Sequence, residues 1–196
     1  MATIYTHAVV GFGISRLYVP GRRRWLYSAV AVALAVVPDL DSFSSAVYGS
    51  ILGHRGFTHS LAFALWTGLL AASLCFRFLG TSFWLLSAIF FAVIASHGLL
   101  DAMTRGGADI PFFWPAGDER YGNWGPLPVS DLGFQLPDPR RSRALRSELL
   151  WAWLPTTLLV VALAIYRHIR RRKMGRPPAP APTIDQAGET APDSLT

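Results

Sequence analysis

Apolar residues fall into five long blocks separated by short polar stretches, and blocks of this length predict helices. The first covers about residues 4–19 and ends at Pro20-Gly21. The second covers 25–37 and is expected to stop at Pro38; the basic turn Arg22-Arg23-Arg24 makes the two a helical hairpin. The third runs over about 61–78, with Thr58 and Ser60 as candidate N-caps, and Gly80-Thr81-Ser82 links it to the fourth, 83–103. Thr104-Arg105-Gly106-Gly107 is expected to end that helix with a left-handed glycine cap. Residues 109–147 form a long polar and aromatic segment in which Pro111, Pro115, Pro126, Pro128, Pro137 and Pro139 argue against a continuous helix. A last block, 149–166, contains Pro155 and is long enough to span a bilayer. From residue 174 the chain is Pro/Ala-rich with little to bury, so 1–173 is expected to be the folded domain and 174–196 a disordered tail.

Composition turns this pattern into a fold class. Of 196 residues, 52% are hydrophobic and 15% charged, and the mean hydropathy is positive at +0.33. With blocks near twenty residues, these values predict an all-α, polytopic membrane helical bundle of about four to five apolar helices, not a soluble domain. The formal charge of +6 comes from basic residues clustered beside the apolar blocks, which reads as a topology signal; no nucleic-acid partner is expected. Residues 1–6 carry no basic residue and His7 interrupts the first block, a poor fit to a signal peptide, so the N-terminus is expected to remain in the mature chain. The single cysteine, Cys75, excludes an intramolecular disulfide.

Alternating spans with the short basic turns inside would place the Asp39/Asp41 corner, the His54/His59 stretch, the His97/Asp101 helix end and the loop from Asp109 on the outer side. Arg140, Arg141, Arg143 and Arg146 run against the rule, in a long loop where the rule is weaker. The site would then face the periplasm or the exterior.

His97 and Asp101 are four apart on a predicted helix and share a face, a way to present a nitrogen and an oxygen to one ion. Taken alone, the plainer account is a histidine hydrogen-bonded to a neighbouring helix and a headgroup-facing acid. His54 and His59 flank Gly56 at a helix start, as ligands or as a polar cap. Arg55 either faces headgroups or holds an anionic oxygen bidentately. Asp39 and Asp41, in an extended segment, would point the same way, with capping as the alternative for Asp41. His7 is either a satisfied core histidine or a partner for such a cluster.

Taken together, Pro38-Asp39-Leu40-Asp41, His54-Arg55-Gly56-Phe57-Thr58-His59-Ser60 and Ser96-His97-Gly98-Leu99-Leu100-Asp101 with Thr104 resemble the YdjM-type membrane-bound, metal-dependent hydrolase family of bacteria and archaea. His7 and the turn Phe113-Trp114-Pro115 also look like family features, and the resemblance covers about residues 1–135. It implies a multi-pass inner-membrane protein with His7, Asp39, His54, His59, His97 and Asp101 as metal ligands. A looser similarity, in the order of His and Asp residues, is to zinc-dependent phospholipases C; this chain lacks an evident second His-x-x-x-Glu pair.

The expected activity is hydrolysis of a phosphoester or other ester by water activated at one or two divalent ions, zinc or manganese. Asp41 would orient or deprotonate the water and Arg55 would hold the developing anion. Membrane lipids are the expected surroundings, and a lipid or lipid-linked molecule the expected substrate. A metal-binding or regulatory protein without turnover and an ion transporter are the alternatives.

Overall fold

The computed structural model describes residues 2–19, 23–43, 50–128 and 139–174. The expected disordered tail, apart from Met174, lies outside the described residues. The protein is mostly helical, with α1 (Ile4–Ser15), α2 (Arg24–Val36), α3 (Leu61–Leu79), α4 (Phe83–Ala102), α5 (Pro139–Glu148) and α6 (Leu154–Met174). Residues Met1–Leu163 form one compact unit; in the second, Ala164–Thr196, the described residues are the last turns of α6.

Four segments are long and apolar enough to cross a bilayer: Arg24–Phe43, Leu61–Leu79, Phe83–Ala102 and Ala144–Arg172. At 12 residues, α1 rises about 18 Å, short of a hydrocarbon core of about 30 Å. Helix α4 packs against α1, α2 and α3, and buries Leu86, Phe90, Val93, His97 and Asp101 along its length. It is apolar on all sides, as a central helix must be. Helix α3 buries small residues at Ala64, Gly68 and Ala72, four apart, and exposes Trp66, Leu70, Leu74 and Phe78. Large apolar side chains outward and small ones inward is the arrangement expected where the surroundings are lipid and close backbone approach drives association.

Local chemistry sets the ends of these elements. Ser60 caps α3, its hydroxyl accepting from Phe63 N–H at 3.1 Å, while Thr58 turns elsewhere. Gly80, at φ 62°, closes α3 in the left-handed conformation. Helix α4 ends differently from the expectation: Met103 caps it in a right-handed conformation, and the left-handed glycine is Gly106, further along. There the chain forms a two-residue parallel pairing, β1 (Thr104–Arg105) with β2 (Leu127–Pro128). Ile110 and Tyr121 exchange backbone hydrogen bonds at 2.8 and 2.9 Å, and Leu61 N–H donates to Phe112 C=O at 2.9 Å. The irregular segment is thereby fastened to the start of α3.

Two expectations are corrected. Pro38 does not stop the second block: α2 passes directly into a 3-10 turn, Val37–Phe43, because a proline near the start of a new helical turn removes a donor that has no partner there anyway. Asp39 and Asp41 therefore lie on a helical turn, not an extended strand. The polar segment also does not run to residue 147. Pro139 starts α5, a first-turn position that suits proline, and α5 continues through a π-helical turn, Leu149–Trp153, into α6.

Gly68 carries the closest approach of α3 to α4: a Cβ there would lie 2.9 Å from Phe91 N and 3.2 Å from Phe91 Cα. Gly68→Val is expected to lower stability by about 1–3 kcal/mol through overpacking, read as a lower thermal midpoint in detergent, with Gly117→Ala, where no atom crowds the added carbon, as the unaffected control.

Candidate metal centre

The start of α1, the 3-10 turn after α2, the turn before α3 and the last turns of α4 meet at one end of the bundle. His97, on the buried face of α4, points its Nδ1 at the Ala35 carbonyl, 2.7 Å away. A carbonyl only accepts, so Nδ1 carries the proton and, in the neutral ring, Nε2 carries a lone pair. That lone pair faces Asp39 Oδ1 at 3.3 Å. His59 repeats the arrangement. Its Nδ1 lies 3.0 Å from the Thr58 hydroxyl, which itself donates to Asp41 Oδ2, while its Nε2 faces Asp101 Oδ2 at 3.6 Å. With both rings neutral, acceptors are thus aimed at acceptors. Both Asp39 oxygens, Asp101 Oδ2, His59 Nε2 and His97 Nε2 are buried without a hydrogen-bond partner.

Donor atoms of Asp39, His59, His97 and Asp101 lie within 4.8 Å of one another, all four residues buried. A second group, Asp41, His54 and His59, meets the same limit and shares His59 with the first. Asp41 Oδ1 is 2.6 Å from His54 Nδ1, and Ser42 Oγ lies 3.2 Å from the same nitrogen. The side chains of His54 and Asp41 are 11% and 6% exposed, whereas His59, His97 and Asp101 are fully enclosed. The first group is the more buried, with Asp39 at 10% its most exposed side chain, and the second, with half-buried Asp41 and His54, is the more accessible.

The donor set suits a divalent cation. Imidazole nitrogens and carboxylate oxygens are groups that ligate metal ions, and a cation would answer the facing of Asp39 and His97 Nε2, which no hydrogen bond satisfies. His7 stacks on His97, ring centroids 3.7 Å apart and 16° from parallel, with Nε2 3.5 Å from Asp101 Oδ1. It stands at the edge of the first group. Asp101 Oδ1 accepts from Ala2 N–H at 3.0 Å. Arg55 is 1% exposed: Nη1 donates to Ala108 C=O at 2.7 Å, Nη2 to Thr104 Oγ1 at 2.8 Å, and Nε lies 3.3 Å from Asp101 Oδ2. Gly98 makes the junction possible, since a Cβ there would sit 2.7 Å from the His59 carbonyl. With glycine at this point, the turn carrying His59 presses directly onto α4 beside His97.

The sequence profile of the YdjM inner membrane protein family matches residues 1–172. The chain belongs to the YdjM family. Inner membrane protein YbcI of Escherichia coli (strain K12) is 34% identical over 172 residues, covering 82% of this chain and 95% of that one. No solved structure matches. In this YdjM-family membrane protein, the Pro-Asp-Leu-Asp corner divides its acids: Asp39 faces His97, and Asp41 faces His54 and His59. The expectation that both carboxylates point one way is corrected by the 3-10 turn, on which residues two apart diverge.

Sequence reasoning missed Ala2 N–H, the Ala35 carbonyl and the Thr58 contact with Asp41. Backbone groups leave no residue signature, and Thr58 reads more simply as a cap. Glu148, whose carboxylate holds Thr3 and Thr6, was also missed. A lone acid on the edge of an apolar block was its available signal.

Burial opposes charge on His59, but the Asp101 and Asp41 carboxylates outweigh it and raise its pKa to about 9. In the metal-free protein this charged contact stabilises fully below the ordinary histidine pKa of about 6.5 and is lost as pH rises through about 9. A cation must displace that proton, so its affinity has the opposite slope. Between pH 7 and 10 the thermal midpoint is expected to fall in EDTA, and Zn2+ affinity to rise until about pH 9 and then level; calorimetry in two buffers of different ionisation enthalpy should register proton release below that point.

Proposed function

We propose that this protein is a membrane-bound, metal-dependent hydrolase that cleaves a phosphoester or another ester of an amphiphilic molecule. The observation that carries the reading is the facing of lone pairs in the neutral rings, His97 Nε2 on Asp39 and His59 Nε2 on Asp101, beside a second, less buried group. Asp39, His59, His97 and Asp101, with His7 at their edge, would hold one divalent ion; Asp41 and His54 would hold a second, joined by His59 where that ring gives up its remaining proton. Such ions supply Lewis acidity to an ester oxygen and make water a competent nucleophile near neutral pH.

The chain's own groups divide the remaining work. Asp41 sits in the more accessible group, oriented by His54 Nδ1 and the Thr58 hydroxyl, and is the carboxylate placed to orient an entering water or take its proton. Arg55 is a fixed positive charge. Held by Thr104, Ala108 and Asp101, it acts on a developing anion through its field rather than by a direct bond. His97 is oriented by the Ala35 carbonyl, the outer support that metal-binding histidines generally have.

An amphiphilic substrate is supported by what surrounds the more accessible group. Leu40, Phe43 and Leu52, within two residues of Asp41 or His54, are 61%, 88% and 68% exposed. In a membrane protein such exposed apolar side chains suit contact with acyl chains, which would bring the polar end of an amphiphilic substrate beside Asp41. Phe113 and Trp124 are also exposed on the irregular segment, where Phe57 meets Trp114 at 5.7 Å between ring centroids.

A structural ion is the second reading, favoured at the first group by its deeper burial, since structural sites are closed and catalytic sites keep an open position. Purified protein in nanodiscs with Zn2+ or Mn2+ should hydrolyse a chromogenic phosphodiester, a carboxylic ester or a labelled phospholipid. Asp41→Asn should lower kcat by about 100-fold or more while the first ion stays bound. Stoichiometric metal with no hydrolysis of any of the three would leave the structural reading standing instead.

A further inference from the structure

Glu148 is fully buried at the junction of α5 and the π-helical turn. Its Oε1 accepts from Thr3 N–H at 2.8 Å, and its Oε2 from the hydroxyls of Thr3 and Thr6 at 2.5 and 2.7 Å. Trp153 Nε1 donates to the same Thr6 hydroxyl at 2.7 Å. Residues five apart on an α-helix lie about 140° from each other, so Glu148 and Trp153 could not share one hydroxyl without the wider winding between them. Inserted turns of this kind cluster at functional sites. Thr3 is also the N-cap of α1, an end that favours a negative charge.

The turn that Glu148 grips is the one that serves Asp101. Ala2, packed with Leu100 and Ala152, gives its N–H to Asp101 Oδ1. His7, four residues beyond Thr3 on the buried side of α1, lies against the same oxygen and stacks on His97. We propose that Glu148 is a positioning residue of the metal centre: by holding Thr3 and Thr6 it fixes the first turn of α1, and with it Ala2 N–H and His7, against Asp101. This rests on the metal reading of the cluster and adds to it a residue from the far end of the fold, outside the three His/Asp motifs. A carboxylate suits the task because three donors converge on it, whereas a glutamine offers a single acceptor oxygen.

The test uses the full chain in nanodiscs, Zn2+ as the probe against a competing chelator, and the variants Glu148→Gln and Glu148→Ala. Zn2+ affinity is expected to fall by about 10-fold in Glu148→Gln and towards 100-fold in Glu148→Ala, the range seen when supports of metal ligands are removed. Helix content by circular dichroism should be retained in Glu148→Gln, which carries the test alone if the alanine variant does not fold. Zn2+ should slow amide hydrogen exchange at residues 3–7 in the wild type and not in the variants, a readout that loss of stability alone would not change. Wild-type binding with Glu148→Gln within twofold of it would overturn the proposal, even if the thermal midpoint fell. A wild type that binds neither Zn2+ nor Mn2+ would overturn the metal reading itself.

Discussion

Two histidine nitrogens are pointed at two carboxylates, acceptor against acceptor when the rings are neutral, with the Arg55 guanidinium at one edge against Asp101. Each such buried, unpaired group costs roughly 1–3 kcal/mol, and water in a bilayer offers little relief. Much of the surrounding structure holds that geometry in place. The Ala35 carbonyl sets the tautomer of one ring and Thr58 that of the other. A guanidinium tied to Thr104 and Ala108 lies against Asp101. A fold that merely tolerated these residues would have paired each with a donor; here Asp39 and His97 Nε2 are left facing each other without one.

The packing of the helices serves the same end. Chains that bury large side chains can adjust by small rotations, but α3 meets α4 through Ala64, Gly68 and Ala72, where backbones come close and little freedom remains. The closeness continues past the helix, where the His59 backbone rests on Gly98. The His59 and His97 rings, 4.8 Å apart between centroids, are thereby held together by main chain instead of by long side chains.

Much of this was legible in the sequence, and for a physical reason: apolar blocks declare membrane helices, and the rarity of His and Asp near such blocks makes each one conspicuous. Length and hydropathy foretold α3 and α4 closely, and Ser60 was readable as a cap. The direction of side chains was not. Whether Asp39 and Asp41 point together depends on whether Pro38 breaks a helix or begins a new turn, and both are compatible with the same residues. The start of α5 was hidden because prolines dominate that segment, although Pro139 sits at the one helical position that proline prefers. Glu148 was hidden for the opposite reason, since its partners Thr3 and Thr6 are more than 140 residues away along the chain.

His59 belongs to both groups through opposite edges of one ring, Nδ1 towards Asp41 and Nε2 towards Asp101. An imidazole that gives electron density to a cation at one nitrogen becomes a poorer base at the other. Since a neutral ring has one lone pair and one N–H, His59 can offer an acceptor to only one group at a time and a donor to the other. A change of tautomer would exchange those roles, so the two groups are coupled through a single side chain and are not independent of each other.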